Sequence, residues 1–198
     1  MKKIVFTLIL LSQVSLTLFG QITTIPAGGI EVIGSAPMAE FKLNISSGTA
    51  EAKKVEVEGQ PFKTAVQLST LSTPRNMWDI QYSTGSKISV VQNDQMLLTF
   101  YARMVSTKDE IGLGTIMCVV EKAGPDYDKS LYRAVNLDTE WKQYFIPFKM
   151  GASYLAGGAN LNIPIGTSKQ QVIEIAEIQL YNYKKTLQES DLPKTEYT

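Results

Sequence analysis

Hydrophobic and polar residues alternate with a period of two along most of the chain after residue 20. This is the pattern of β-strands with one face in a core and one in solvent. The clearest run is 97–105, where Leu98, Phe100, Ala102 and Met104 fall on one face and Leu97, Thr99, Tyr101 and Arg103 on the other. Residues 63–69 repeat it, with Thr64, Val66 and Leu68 against Lys63, Ala65, Gln67 and Ser69. The same reading predicts strands at 40–45, 53–58, 78–82, 87–91, 114–121, 129–136, 142–148, 159–163 and 172–183. Turn signals such as Ser47-Gly48, Glu58-Gly59-Gln60-Pro61, Thr84-Gly85, Gly124-Pro125-Asp126 and Gly157-Gly158 separate them. No long segment carries a 3.6-residue period. Many short strands joined by tight turns predict an all-β fold, a two-sheet antiparallel β-sandwich of the jelly-roll type.

The two ends depart from this pattern. Lys2 and Lys3 precede an apolar run, Ile4 to Leu11, broken only by Thr7. Residues 1–20 therefore read as a signal peptide, with cleavage before Gln21. No later stretch is apolar for long enough to span a bilayer as a helix. The expected product is a secreted or periplasmic protein with no membrane attachment after cleavage. Its sandwich domain covers 21–184. Residues 185–198 are polar and aperiodic, and read as a linker-like tail in front of something further.

Composition narrows the chemistry. The 198 residues contain no histidine and one cysteine. Ser-His-Asp and Cys-His catalysis and histidine metal sites are thereby excluded, and Cys118 is read as a small buried side chain. Nineteen basic and nineteen acidic residues leave no formal net charge, so nothing points to nucleic acid or an anionic membrane. Most carboxylates sit in or beside turns. Glu174 and Glu177 form the closest acidic pair within a strand, but three residues apart they face opposite ways unless a bulge intervenes. No catalytic residue and no metal ligand is assigned. A structural calcium ion, which needs only oxygen ligands, stays open, with no dense acidic loop to name its site.

Binding is the better-supported chemistry. Aromatic rings stack on apolar sugar faces, and planar polar side chains satisfy hydroxyls. Tyr101, Arg103 and Gln67 lie on polar strand faces, and Trp78 and Gln81 on the 78–82 strand. A regular strand aims Trp78 and Gln81 to opposite sides, and the alternation also admits Trp78 to the core beside Ile80 and Tyr82. Tyr127 and Tyr132 flank the turn after Gly124-Pro125-Asp126, and Trp141 reads as core. Three strands carrying such side chains outward would make one polar sheet face lined for a polysaccharide.

Several segments in order resemble the carbohydrate-binding modules of families 4, 9 and 22 and their galactose-binding-like relatives. They are Gly59-Gln60-Pro61-Phe62, Trp78-Asp79-Ile80-Gln81, Leu98-Thr99-Phe100-Tyr101-Ala102-Arg103, Thr139-Glu140-Trp141-Lys142-Gln143-Tyr144 with Ile146-Pro147-Phe148, and the closing Ile173-Glu174-Ile175-Ala176-Glu177-Ile178-Gln179-Leu180. The arrangement is also similar to the leading module of exported bacterial family 10 glycoside hydrolases, which are endo-xylanases. The resemblance implies a jelly roll that binds xylan or a related plant cell-wall β-glycan, with an attached or neighbouring glycoside hydrolase as partner. It puts Trp78 and Tyr101 on the concave sheet. Relatives often carry an acidic pair after the isoleucine of the closing strand, whereas Ile175 is followed here by Ala176-Glu177. The expected site is Trp78, Gln81, Tyr101, Arg103, Gln67 and Tyr127. The rival expectation is a structural β-sandwich that packs against a missing catalytic domain.

Overall fold

The structure, a computed structural model, describes residues 24–166 and 169–196; the signal-peptide reading over 1–20 lies outside the described residues. In chain order the strands are β1 (Ile30–Glu31), β2 (Lys42–Ile45), β3 (Thr49–Glu56), β4 (Thr64–Ser72), β5 (Ile80–Gly85), β6 (Gln95–Thr107), β7 (Gly114–Lys122), β8 (Lys129–Leu137), β9 (Lys142–Lys149), β10 (Ala159–Pro164) and β11 (Gln171–Asn182). Among the described residues helix is confined to short turns, at Pro37–Glu40, Met77–Asp79 and Glu189–Asp191. All strand pairs are antiparallel.

Two sheets stack face to face. One has the order β3-β4-β11-β6-β9, with β1 beside the C-terminal half of β11; the other has the order β2-β5-β10-β7-β8. The alternation read in the sequence sets which side chains meet. Leu98, Phe100, Ala102 and Met104 of β6 are in the core with Ile116, Cys118 and Val120 of β7, and with Ile173 and Ile175 of β11. Cys118 is sealed there, and burial pushes its thiol pKa up. Phe100 stacks on Tyr144 with ring centroids 5.2 Å apart. The Tyr144 hydroxyl crosses to the opposite sheet, where it donates to the Asn136 carbonyl and accepts the Asp138 N–H, both at 3.3 Å.

Three expectations need correction. The segment 87–91 is not a strand; it makes a single bridge, Val90 to Tyr154. Trp78 is not on a strand either, because Met77–Asp79 forms a 3₁₀ turn ahead of β5. The tail has no strand, as its composition suggests, but it is packed. Leu192 is 4% exposed and closes a cluster with Leu97, Phe145 and Tyr183. Thr195 clips the edge of β9: its N–H donates to the Phe145 carbonyl at 3.0 Å, and its Oγ1 accepts the Phe145 N–H at 2.9 Å.

The outer faces of the two sheets therefore differ. On the β6 sheet, the tail covers Leu97 and Phe145, while Phe62, from the loop between β3 and β4, packs with Ala65, Ala176, Tyr101 and Trp141. On the β7 sheet no comparable cluster of buried apolar side chains covers the outside among the described residues. Among the described residues no helix is long and apolar enough to cross a membrane.

Candidate functional site

The outward residues of the β7 sheet follow from its register. Gln81 of β5 pairs with Pro164 of β10, Asn162 of β10 with Val119 of β7, and Val119 with Tyr132 of β8. Gln81, Pro164 and Val119 floor a groove of about 480 Å³, walled by Met77, Trp78, Glu121, Tyr127, Lys129 and Tyr132. That volume is in the range of small-molecule sites. Trp78 is 57% exposed, Tyr127 54% and Tyr132 53%, so three large rings face solvent around one depression. Scattered exposed hydrophobics are ordinary, but aromatics converging on a groove are not.

Each ring is held by local structure. Asp79 fixes the Trp78 turn. Its carboxylate accepts the Ser46 hydroxyl at 2.8 Å, the Ser47 hydroxyl at 2.7 Å and the Asn76 N–H at 3.1 Å. The turn also rests closely on Gly166, where a Cβ would stand 2.7 Å from both the Met77 carbonyl oxygen and Pro74 Cγ. Only a glycine allows that approach. Tyr127 sits at φ 44°, in the left-handed region that bulky residues avoid, behind Asp126 at φ 81°. Strain of about 1–3 kcal/mol at such a residue persists where the surroundings enforce it, often at functional sites. Here Lys122 grips Asp126 at 2.8 Å. Across the floor, Tyr132 donates its hydroxyl to Met77 Sδ at 3.5 Å.

The polar groups of the groove are cross-linked and balanced in charge. Asn162 Nδ2 donates to Glu121 Oε1 at 2.7 Å. Lys129 Nζ lies 3.2 Å from Glu121 Oε2 and donates to the Tyr127 carbonyl at 3.2 Å. One cation against one carboxylate leaves a wall with hydrogen-bonding capacity and little net field. Such a surface can stack flat apolar faces and bond hydroxyls without selecting a charged ligand.

The ionised form of Asp79 is favoured because the Ser47 and Ser46 hydroxyls donate to it, so its pKa falls below its ordinary value of 3.8. A depressed carboxyl pKa contributes stability above the unfolded value that is lost as pH falls through the folded value. The Trp78 turn should therefore hold from neutral pH down to about 4 and loosen only below it. Asp79→Ala should lower the melting temperature and release Trp78 at every pH, which tryptophan fluorescence against pH would follow. A fluorescence transition that already falls between pH 5 and 7 would rule out this anchor.

The structure divides the six expected site residues. Trp78, Gln81 and Tyr127 come together in the groove. The 3₁₀ turn is the reason Trp78 and Gln81 share it, since a regular strand would have parted them. Tyr101, Arg103 and Gln67 do not join them, because β6 and β4 belong to the other sheet. Their groups serve one another there. Arg103 Nε donates to Glu174 Oε2 at 2.8 Å, its Nη2 pairs with the same oxygen at 2.8 Å, and Gln67 Nε2 donates to Glu174 Oε1 at 2.9 Å. Arg103 also lies over the Trp141 ring, and Phe62 packs against Trp141 and Tyr101. The single polar face drawn from three strands is thus two faces on opposite sides of the sandwich.

Tyr132, Lys129, Glu121 and Asn162 were not assigned to the site from sequence. The alternation of β8 carried part of the signal: Leu131 and Val135 are buried, whereas Tyr132 and Ala134 are exposed. A bulge does interrupt the closing strand at its acidic pair, yet the two carboxylates do not meet. Register slips between Ala176 and Gln179, Glu177 adopts φ 50° and faces solvent, and Glu174 is buried. Among the described residues no three acidic or cysteine side chains gather as a metal would require. Glu31 keeps one buried, unpartnered oxygen, Oε2, and burial raises its pKa. A lone carboxylate does not make a calcium site of six to eight oxygens.

No protein-family profile and no curated protein matches this sequence. Solved structures do match. A family 4 carbohydrate-binding module superposes with a TM-score of 0.55 at 10% identity, over 72% of this chain and 86% of that one. The second N-terminal cellulose-binding domain of Cellulomonas fimi β-1,4-glucanase C gives a TM-score of 0.55 at 13% identity, over 77% and 90%. The CBM22-1–GH10 modules of a Clostridium thermocellum endo-1,4-β-D-xylanase, complexed with xylohexaose, give 0.52 at 11% identity, over 72% of this chain and 26% of that one. At such identities the likeness is one of fold, and this chain has the two-sheet jelly-roll fold of these carbohydrate-binding modules.

Proposed function

We propose that the protein is an exported, non-catalytic polysaccharide-binding module. Its groove on the β7 sheet holds a neutral chain of plant cell-wall β-glycan, xylan or a relative. The observation that carries this reading is the convergence of Trp78, Tyr127 and Tyr132 around a floor of amide, hydroxyl and ion-paired groups. Rings supply stacking area, while Gln81, Asn162 and Lys129 supply hydrogen bonds. The fold shared with cellulose-binding and xylanase-associated modules supports the same reading. Catalysis is disfavoured by the chemistry at hand: the chain has no histidine, and the groove's Glu121 is bound to Lys129 and Asn162. Weak affinity per site is enough for such a module to hold an attached or neighbouring glycoside hydrolase at its substrate.

Affinity electrophoresis against soluble xylan, mixed-linkage β-glucan and mannan tests this. At least one should retard the protein; unaltered migration in all three would remove the reading. Tyr101→Ala and Arg103→Ala should be retarded like the parent, because both residues lie on the other sheet. Arg103→Ala should instead destabilise by about 1–3 kcal/mol, since it strips the guanidinium from buried Glu174. Loss of retardation in a folded Arg103→Ala protein would move the site to the β6 sheet.

A further inference from the structure

A second cleft of about 490 Å³ adjoins the groove and shares Tyr132 with it. Its floor is Met117, Ala134 and Asn136, the next outward positions of β7 and β8 beyond Val119 and Tyr132. Two residues along a strand is about 7 Å, so the depressions follow each other along the same strands. The Tyr132 ring stands between them, tied to Met77 through its hydroxyl. The far wall is not part of the sheet. It is the tail, residues 194–196, held beside β8 by the Thr195 hydrogen bonds to Phe145 and Gln143 on the β9 edge and by the buried Leu192.

We infer that the tail-walled cleft is a second glycan subsite, so that a long β-glycan chain passes over the Tyr132 ring from the groove into contact with residues 194–196. The inference rests on the glycan-binding reading of the groove and extends it. The tail, whose composition suggested a free linker, then has a binding role, and its packing on the β6 sheet is what places it. Short oligosaccharides fill the aromatic groove alone, and longer ones gain the added contacts. One further hydrogen bond, from Asn136 or the tail, corresponds to a gain of roughly two- to tenfold in affinity.

The test is calorimetric titration of the full chain with xylotriose and xylohexaose, and with cellotriose and cellohexaose. For the backbone that binds, the hexaose should bind roughly two- to tenfold tighter than the triose. In the wild-type NMR spectrum, hexaose but not triose should shift the amide signals of residues 194–196. Ala134→Phe fills the cleft from an exposed position, and should bring hexaose binding down to the triose level while leaving triose binding unchanged. Equal hexaose affinity in Ala134→Phe and wild type, or unmoved 194–196 signals with hexaose bound, would overturn the subsite. Retained triose binding in that case leaves the groove reading standing. If no oligosaccharide of either length binds the wild type, the groove reading falls and the subsite falls with it.

Discussion

Trp78→Ala is expected to abolish glycan retention while leaving the fold intact. The indole is more than half exposed and sits on a turn that Asp79 holds from beneath, so removing it opens no core cavity. Substitutions at such positions usually stay within about 1 kcal/mol in stability. A central aromatic at a binding surface, by contrast, typically contributes about 2 kcal/mol or more, roughly thirtyfold in affinity. Trp78→Phe should retain part of the binding, because a smaller ring still stacks. Calorimetric titration and a thermal melt on the same preparation separate the two effects. A variant that melts many degrees lower, or binds as well as the parent, would show that this ring is packed rather than presented.

Phe100→Ala should have the largest effect on stability, about 3–5 kcal/mol. Phe100 is fully buried near the centre of β6 and stacks on Tyr144. Truncation removes transfer energy and leaves a void between two sheets that cannot easily collapse, since each is fixed by its own hydrogen-bond ladder. For a domain of this size that lowers the melting temperature by roughly 6–20 °C. A functional consequence should follow. Tyr144 reaches from that stack to the Asn136 carbonyl and the Asp138 N–H, and β8 carries Tyr132. Loss of the stack frees Tyr144 and should weaken binding even below the new melting point. A urea-unfolding change under 1 kcal/mol would contradict the placement of Phe100 at the centre of the core.

Most strands were legible because burial of one face enforces the period-two pattern locally. That is why 97–105, 114–121 and 172–183 fall within β6, β7 and the span of β11 and its first following residue. The misses have physical causes. Residues 87–91 alternate like a strand but make only the Val90–Tyr154 bridge, and a strand requires a partner along its length. The tail lacks periodicity, yet Leu192 and Thr195 find a cluster and an edge to dock on. A docked segment needs only a few well-placed contacts, which leave no repeat to read. The Trp78 turn depends on Ser46, Ser47 and Gly166, all remote in sequence.

The sequence by itself determined the class of fold, the inward side of most strands and the absence of histidine chemistry; it named six candidate site residues without separating Trp78, Gln81 and Tyr127 from the other three. Only the tertiary structure decided which outward faces belong together. Alternation says that Tyr101, Arg103 and Tyr132 point away from the core, but it does not say to which sheet each strand is hydrogen-bonded. The order β2-β5-β10-β7-β8 gathers residues from three distant segments into one groove, and the same pairing sends Arg103 and Gln67 to Glu174 on the opposite side. Strand order comes from long-range hydrogen bonding and from the packing of one sheet on the other, and neither leaves a trace in local periodicity.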